Sequence, residues 1–172
     1  MIPCQNRSPA RFLRLPILAL ALAVAQGATA APRKAAVFDF QYAKGSPTEP
    51  TQADRERLAR LGDTLRGLLE KSGRYTIVST DPVKQEAERG PDLRSCNGCA
   101  EDFARKLGAD AAITGEVQKV SNLILNINVY VKDLDGKGPE KAYSVDIRGD
   151  NDESFERGIR YLVKNRLLEA EQ

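Results

Sequence analysis

Two cysteines three positions apart are the residues of this chain best suited to covalent chemistry. In an oxidising compartment, Cys96 and Cys99 of the Cys96-Asn97-Gly98-Cys99 segment can close a small disulfide ring around a turn. The alternative is a thiol–disulfide redox site, because Cys99 stands near a predicted helix start, where the helix dipole lowers a thiol pKa. Such sites usually follow the first strand of their fold, however, and this pair lies mid-chain. The sequence therefore predicts a structural disulfide.

The absence of histidine limits what other chemistry the chain can perform. Histidine is the commonest general base, a usual zinc ligand and the base of Ser and Cys triads. Two thiolates without histidine are a poor zinc site. Carboxylate or lysine chemistry stays open, but no phosphate-binding loop, dinucleotide fingerprint or nucleophile elbow is present. We predict no catalytic, cofactor-binding or metal-binding residue, and we expect that the protein is not an enzyme.

The acidic segments of the chain have structural explanations. Asp133 to Gly138 superficially resembles a calcium loop, but its glycine is two places early and Lys137 occupies a ligand position. A hairpin turn is the better interpretation. Asp150, Asp152 and Glu153 precede the last predicted helix, where carboxylates cap the helix and complement its dipole.

The first thirty residues have the order of a secretory signal peptide. Arg7, Arg11 and Arg14 precede a short apolar run, which ends in the small residues Ala28-Thr29-Ala30. The apolar run is about half the ~20 residues needed to span a bilayer. Cleavage between Ala30 and Ala31 is therefore predicted, with release of a soluble mature protein into the periplasm and no stable membrane insertion afterwards.

The mature chain, residues 31–172, has the length of a single domain. The leader carries three of the 26 basic residues and none of the 24 acidic ones, so the mature chain is slightly acidic. It has no basic stripe with interleaved aromatic residues, which argues against a nucleic-acid partner. Cys4 is removed with the leader, which leaves only Cys96 and Cys99.

The spacing of apolar residues predicts the strands and helices of the mature chain. Residues 35–40 are a buried run typical of a strand, and 41–50 are predicted to be a loop. Leucines at three- and four-residue steps predict a helix between a Thr51 cap and Gly73. Its other face should be solvated: Arg55, Glu56, Arg57, Arg60, Asp63, Arg66 and Glu70.

The second half of the chain alternates between strand and helix patterns. A strand over 74–79, short helices near 85–88 and 100–107, and a strand over 111–120 precede a strongly alternating run at 123–131. A return strand over 143–148 and a helix capped by Asn151 or Asp152 complete the pattern. The predicted order, β-α-β-α-α-β-β-β-α, indicates an α/β (α+β) fold: a mixed sheet with a C-terminal antiparallel meander and helices packed on it.

Motifs in this order resemble a known group of envelope domains. Val37-Phe38-Asp39-Phe40, Ser72-Gly73-Arg74-Tyr75-Thr76-Ile77-Val78 and the segment from Ala104 to Val117 are similar to the amino-terminal domain of TolB and the related CsgG-like domains. With the Cys-Asn-Gly-Cys element, they are more similar still to uncharacterised exported proteins of Gram-negative bacteria. The resemblance covers nearly all of residues 35–168. It implies a fold, and it carries over no catalytic residue.

A binding role follows as the leading functional hypothesis. We expect contacts with other envelope proteins, or with further copies of the chain, through the exposed edge of the meander. The segments Gln41 to Pro50 and Lys84 to Arg94 are candidate contact loops. The alternatives are a redox accessory that uses Cys96 and Cys99, and a small-ligand binding module. Thiol reactivity would identify the redox accessory, and thermal stabilisation by a ligand would identify the binding module.

The leader generates a direct prediction. The intact mass of protein recovered from the periplasm should correspond to a chain that begins at Ala31, because signal peptidase reads the small residues that precede it. A mass that includes the leader, or that includes a lipid, would contradict the prediction of a soluble periplasmic protein.

Overall fold

Six strands form one mixed sheet in the computed structural model of the protein, which describes residues 31–46 and 49–170. Ala31 is the first described residue, so the predicted leader and Ala30 lie outside the described part. The sheet order is β3-β1-β4-β5-β6, and β2 pairs with β4 beyond the end of β1. The strands are β1 (Arg33–Val37), β2 (Gln41–Tyr42), β3 (Tyr75–Val78), β4 (Ala111–Lys119), β5 (Ile124–Asp133) and β6 (Lys141–Arg148).

The helices follow the predicted pattern and add a turn at the C-terminal end. Within the described residues, none of them combines the length and apolar character needed to cross a bilayer. The last helix continues into a π-helical turn over Val163–Leu167 and a short helix α5 (Leu168–Ala170). The others are α1 (Gln52–Lys71), α2 (Asp81–Arg89), α3 (Cys99–Lys106) and α4 (Asp152–Leu162).

Strand directions divide the sheet into two parts. β1 runs parallel to both β3 and β4, because helical segments connect these strands. β4, β5 and β6 are consecutive and antiparallel, which is the predicted meander. The mixed α+β architecture is confirmed, with one addition: Gln41 and Tyr42, predicted to be in a loop, form β2. Two residues are too few to show a strand periodicity.

Helices cover the two faces of the sheet unequally. α1 and α4 pack on one face, where the larger core includes Leu65, Ile113, Ile127 and Ile159. α2 and α3 cover the other face only near β1 and β4, over a smaller core around Ala36 and Ala112. The outer face of β5 and β6 lies beyond these helices and bears polar residues such as Asn126 and Ser144.

Helix α1 shows how local sequence signals produce this packing. Thr51 and Asp54 form the reciprocal capping box at its start. Gly73, just past its end, has a φ of +70°, a conformation that glycine adopts without steric cost. The leucine stripe Leu58, Leu61, Leu65 and Leu69 is buried, as the spacing predicts.

A pair of substitutions on α1 tests the assignment of its faces. Leu65→Ala should lower the free energy of unfolding by about 2–5 kcal/mol, because Leu65 is fully buried and its truncation leaves a cavity. Arg60→Ala should cost about 1 kcal/mol or less, because the ion pair of Arg60 with Asp152 is solvent-exposed. Urea denaturation of both variants measures the difference, and equal midpoints would show that the wrong face has been assigned to the core.

Candidate interaction site at the edge of the sheet

Strand β6 presents an open edge along its full length. Its eight residues pair with β5 on one side, and within residues 31–46 and 49–170 no strand pairs with its other side. The opposite end of the sheet is β3, which has four residues. An open strand edge displays backbone donors and acceptors that can hydrogen-bond to another chain. The predicted exposure of the meander edge is therefore realised at β6.

The register identifies which backbone groups of β6 point outward. The N–H of Gly149 donates to the carbonyl of Leu123, which continues the β5–β6 pairing by one residue beyond Arg148. Hydrogen-bonding positions alternate along an antiparallel strand. Odd-numbered residues of β6 therefore bond to β5. The backbone groups that point to the open edge belong to the even-numbered residues Ala142, Ser144 and Asp146, and to the N–H of Arg148, whose carbonyl accepts from the Ser154 hydroxyl.

Helix α4 forms one wall of a groove beside this edge. The groove has a volume of about 410 Å³ and includes Val145 of β6 and Arg157 and Tyr161 of α4. Tyr161 is 48% exposed. Gly158 brings α4 close to the strand, because a Cβ atom there would lie 2.5 Å from Cγ2 of Ile147.

The β4–β5 hairpin adds an exposed apolar surface near the end of the same edge. Val120, Leu123 and Ile124 are 62%, 72% and 44% exposed. The N–H of Val120 donates to the carbonyl of Ile124, so these two residues lie across the hairpin from each other. Ile124 pairs with Arg148 of β6. The apolar hairpin tip and the open edge are therefore parts of one continuous region.

A partly buried ion cluster anchors the start of α4 beneath this region. Arg57 of α1 contacts Asp150 and Asp152, each at 2.8 Å, and lies 3.4 Å from Asp54. Lys119 of β4 contacts the second oxygen of Asp150 at 2.5 Å. The side chains of Arg57, Asp54, Asp150 and Lys119 are each less than one-fifth exposed.

This cluster corrects two sequence interpretations. Arg57 was predicted to lie on a solvated face, and Asp150 was explained by capping and dipole effects alone. Both side chains instead make tertiary ion pairs, whereas the cap of α4 is Asn151, whose side chain accepts from the N–H of Ser154. Arg66 also departs from the predicted solvated face, since it donates to the Val37 carbonyl at 3.0 Å. Nothing in the local sequence distinguishes these arginines from their neighbours.

The environment of the cluster shifts several pKa values. Burial is the largest influence on the pKa of Tyr42, which is raised, and the nearby carboxylates Asp150 and Asp54 raise it further. Burial also opposes ionisation of Asp54, but hydrogen bonds from the side chain and backbone of Thr51 outweigh it and lower the pKa of Asp54. Among the described residues, every buried side-chain nitrogen and oxygen has a hydrogen-bond partner. The cluster is therefore internally satisfied.

A second cation holds the segment before the cysteines against the outer face of the sheet. The Arg94 guanidinium lies 3.4 Å from the centroid of the Tyr130 ring and makes two hydrogen bonds to Glu140, at 2.6 and 3.0 Å. Lys84 to Arg94 was predicted to be a contact loop, but its first part belongs to α2. Arg94 itself is engaged within the fold.

The structure joins Cys96 and Cys99 by a disulfide, with Cα atoms 5.7 Å apart. Cys99 is the first residue of α3, and Asn97 and Gly98 in the intervening turn both have positive φ. The turn between the cysteines lines a cavity with Lys132 of β5 and with Glu140, which precedes β6. No group of three or more Cys, Asp or Glu residues in the described part of the chain is arranged to hold a metal ion.

The chain belongs to the DUF3280 family, described as "Protein of unknown function (DUF2380)", whose pattern matches residues 33–167. The match spans the whole sheet and the helices packed on it. No curated protein matches the sequence. The family assignment agrees with the predicted membership of an uncharacterised family.

Several solved structures of low sequence identity align with most of this chain. The LpoB C-terminal domain from Salmonella enterica is 15% identical and has a TM-score of 0.47, over 69% of this chain and 86% of that one. For the PelC dodecamer from Paraburkholderia phytofirmans, the identity is 12% and the TM-score 0.48, over 77% and 85%. Lipoprotein GNA1162 from Neisseria meningitidis is 17% identical, with a TM-score of 0.49, over 81% and 90%.

The shifted pKa of Asp54 generates a pH-dependent prediction. The folded-state pKa of Asp54 lies below the ordinary value of 3.8, so the ionised carboxylate stabilises the folded protein. This contribution to the free energy of unfolding is fully present at neutral pH. It should be lost as the pH falls from about 5 through the folded-state pKa, because the unfolded chain takes up this proton first. Asp54→Asn should therefore lower stability at neutral pH and make the acid dependence of the unfolding free energy shallower.

Urea unfolding at a series of pH values measures this effect. Asp102→Asn is the matched control, because Asp102 lies in the first turn of α3 with its side chain 78% exposed. An Asp54→Asn variant with the same acid dependence as the wild type would contradict the role assigned to Asp54.

Proposed function

We propose that this protein is an exported binding domain of the cell envelope that recognises another protein chain through the open edge of β6. The observation that carries the proposal is the outward row of backbone groups at Ala142, Ser144 and Asp146. These groups have no strand partner within the described residues. A strand added at this edge would continue the sheet, and its backbone hydrogen bonds would supply affinity.

The groove beside the edge supplies a basis for selectivity. Side chains of an added strand alternate between the two faces of the sheet. Side chains on the face covered by α1 and α4 would enter the groove bounded by Val145, Arg157 and Tyr161. Side chains on the opposite face would contact Ser144 and Asp146. An exposed tyrosine beside an arginine is typical of protein interfaces, where both residue types are enriched.

A binding role without catalysis is part of the same proposal. The buried charges of Asp54, Arg57, Lys119 and Asp150 neutralise one another. They stabilise the position of α4, and their partners come from the protein itself. The disulfide of Cys96 and Cys99 is proposed to be structural, and it closes the turn that leads into α3.

The periplasmic location is supported by the leader sequence, with its arginines, short apolar run and small-residue exit at Ala30. The more specific relationship to the TolB amino-terminal and CsgG-like domains is supported by the motifs around Val37, Gly73 and Gly115. It is proposed on those residues alone.

A substitution at Ser144 tests the proposed edge. Ser144→Pro removes an N–H that points outward, so the hydrogen bonds to β5 remain and the protein should fold. Ser144→Ala is the matched control, because it removes the hydroxyl and retains the N–H. We expect Ser144→Pro to abolish partner binding and Ser144→Ala to retain it.

The partner can be defined by photo-crosslinking in cells that express the full chain. A photoreactive residue at Asp146 should crosslink to a protein, whereas the same residue at Asp102 on α3 should not. The crosslinked protein is then purified and its dissociation constant is measured with wild type and both Ser144 variants. Equal binding by the proline and alanine variants, or crosslinking at Asp102 alone, would contradict the proposal.

A further inference from the structure

We infer that the segment that binds the β6 edge is an extended, acidic stretch of another protein, with carboxylates opposite Lys141 and Arg148. This inference rests on the proposed function, because it names the chemistry of the partner of the same edge. Backbone hydrogen bonds along an open edge can form with many sequences, so the side chains beside the edge determine which sequences bind.

Cations border the open edge at both of its ends. β6 begins with Lys141 and ends with Arg148, and both residues are exposed. Arg148 also lines the groove beside the strand, together with Arg157 of α4. Against these three cations, the strand and the groove contain a single carboxylate, that of Asp146. The mature chain as a whole is slightly acidic, so the excess of cations is particular to this region.

The carboxylates that lie near the edge already have partners within the fold. Asp146 accepts a hydrogen bond from the side-chain amide of Asn126 at 2.8 Å. The others are held by arginines: Asp133 by Arg33, Glu140 by Arg94, and Asp150 and Asp152 by Arg57. These carboxylates therefore contribute little to the neutralisation of the cations at the edge.

The three cations are only weakly compensated. The side chain of Arg148 makes no ion pair or hydrogen bond with the described residues. Nζ of Lys141 lies 3.8 Å from an oxygen of Asp133, which is already paired. Arg157 pairs with Glu153 one turn earlier on α4, but both side chains are largely exposed and solvent screens the pair. A bound carboxylate would therefore gain an interaction with each of these cations.

Strand pairing converts these charges into a requirement on the partner. Each residue of β6 would face one residue of an added strand, and opposite charges in such pairs are stabilising whereas like charges are destabilising. Carboxylates opposite Lys141 and Arg148 satisfy this rule at both ends. Between them, the residue opposite Val145 should be apolar, because its side chain would enter the groove that Tyr161 lines.

A second copy of this chain lacks the required charges. Its β6 has cations at both ends, so two β6 strands paired along their whole length would bring cations together in either direction. Charged side chains on an edge strand are a common protection against such self-association. The edge is therefore suited to a different, acidic chain.

Peptide binding tests the inference. The probes are three synthetic threonine-rich peptides with blocked termini and two central valines, each long enough to pair with all eight residues of β6. They carry glutamate, glutamine or lysine at the two end positions, opposite Lys141 and Arg148, so the same peptides serve for either strand direction. Protein purified from cells that express the full chain should bind the glutamate peptide about tenfold more tightly than the glutamine peptide, and the lysine peptide most weakly.

Two arginine variants of the protein locate the charge effect. Arg148→Glu should weaken binding of the glutamate peptide about tenfold and strengthen binding of the lysine peptide, because attraction and repulsion are exchanged. Arg89→Glu is the matched control, because it changes the net charge equally at the exposed end of α2, which packs away from β6. At physiological ionic strength it should change either affinity by no more than about twofold.

The outcomes distinguish this inference from the proposed function. Equal affinities for the three peptides overturn the inference, and the proposed function stands if Ser144→Pro still abolishes binding. A wild type that does not bind the glutamate peptide, including one that forms dimers instead, also overturns the inference, and the proposed function then depends on crosslinking at Asp146.

The protein variants provide two further outcomes against the inference and one in its favour. Binding of the glutamate peptide that resists Ser144→Pro overturns it, because the peptide is then not paired with the edge. An equal effect of Arg89→Glu and Arg148→Glu overturns it as well, because the attraction is then a general effect of net charge. A preference for the glutamate peptide that Ser144→Pro and Arg148→Glu reduce and Arg89→Glu leaves unchanged supports the inference.

Discussion

The guanidinium of Arg57 is the contact on which the arrangement around the open edge depends. It joins α1 to the start of α4 through Asp150 and Asp152. Asp150 also forms an ion pair with Lys119 at the end of β4, and Asp54 accepts a hydrogen bond from the hydroxyl of Tyr42 in β2. Four elements, β2, α1, β4 and the start of α4, thus meet at a few charged groups. Removal of one partner from such a group is costly, because a partly buried charge then lacks its counterion.

The position of this cluster explains why α4 lies where it does. The ion pairs fix the first turn of α4, and the Ser154 hydroxyl donates to the Arg148 carbonyl at 2.6 Å, at the end of β6. From this fixed start, the helix crosses the sheet over Ile127 and Ile147, where Gly158 permits close approach. The helix therefore covers one face of β6 and leaves the edge itself open.

Most elements of the fold could be predicted because their signals are local. The leucine spacing of α1, the alternation in β5 and the stripe Phe155, Ile159 and Leu162 in α4 each correspond to one buried face. Contacts between distant residues carry no comparable signal. Tyr42 joins the sheet in a strand of only two residues. Arg94 lies over the Tyr130 ring, although many residues separate the two in the chain. The consecutive strands predicted an exposed meander edge, whereas the outward set of β6 required the register with β5.

The two ends of the sheet differ in length, and this difference limits how large an assembly can grow. A head-to-tail contact between β6 of one molecule and β3 of the next could repeat without end, as in a filament. Such a contact could use only the four residues of β3, however, against the eight of β6. The short edge at β3 thus offers few backbone groups to a further molecule, which limits chain-to-chain growth from that end of the sheet.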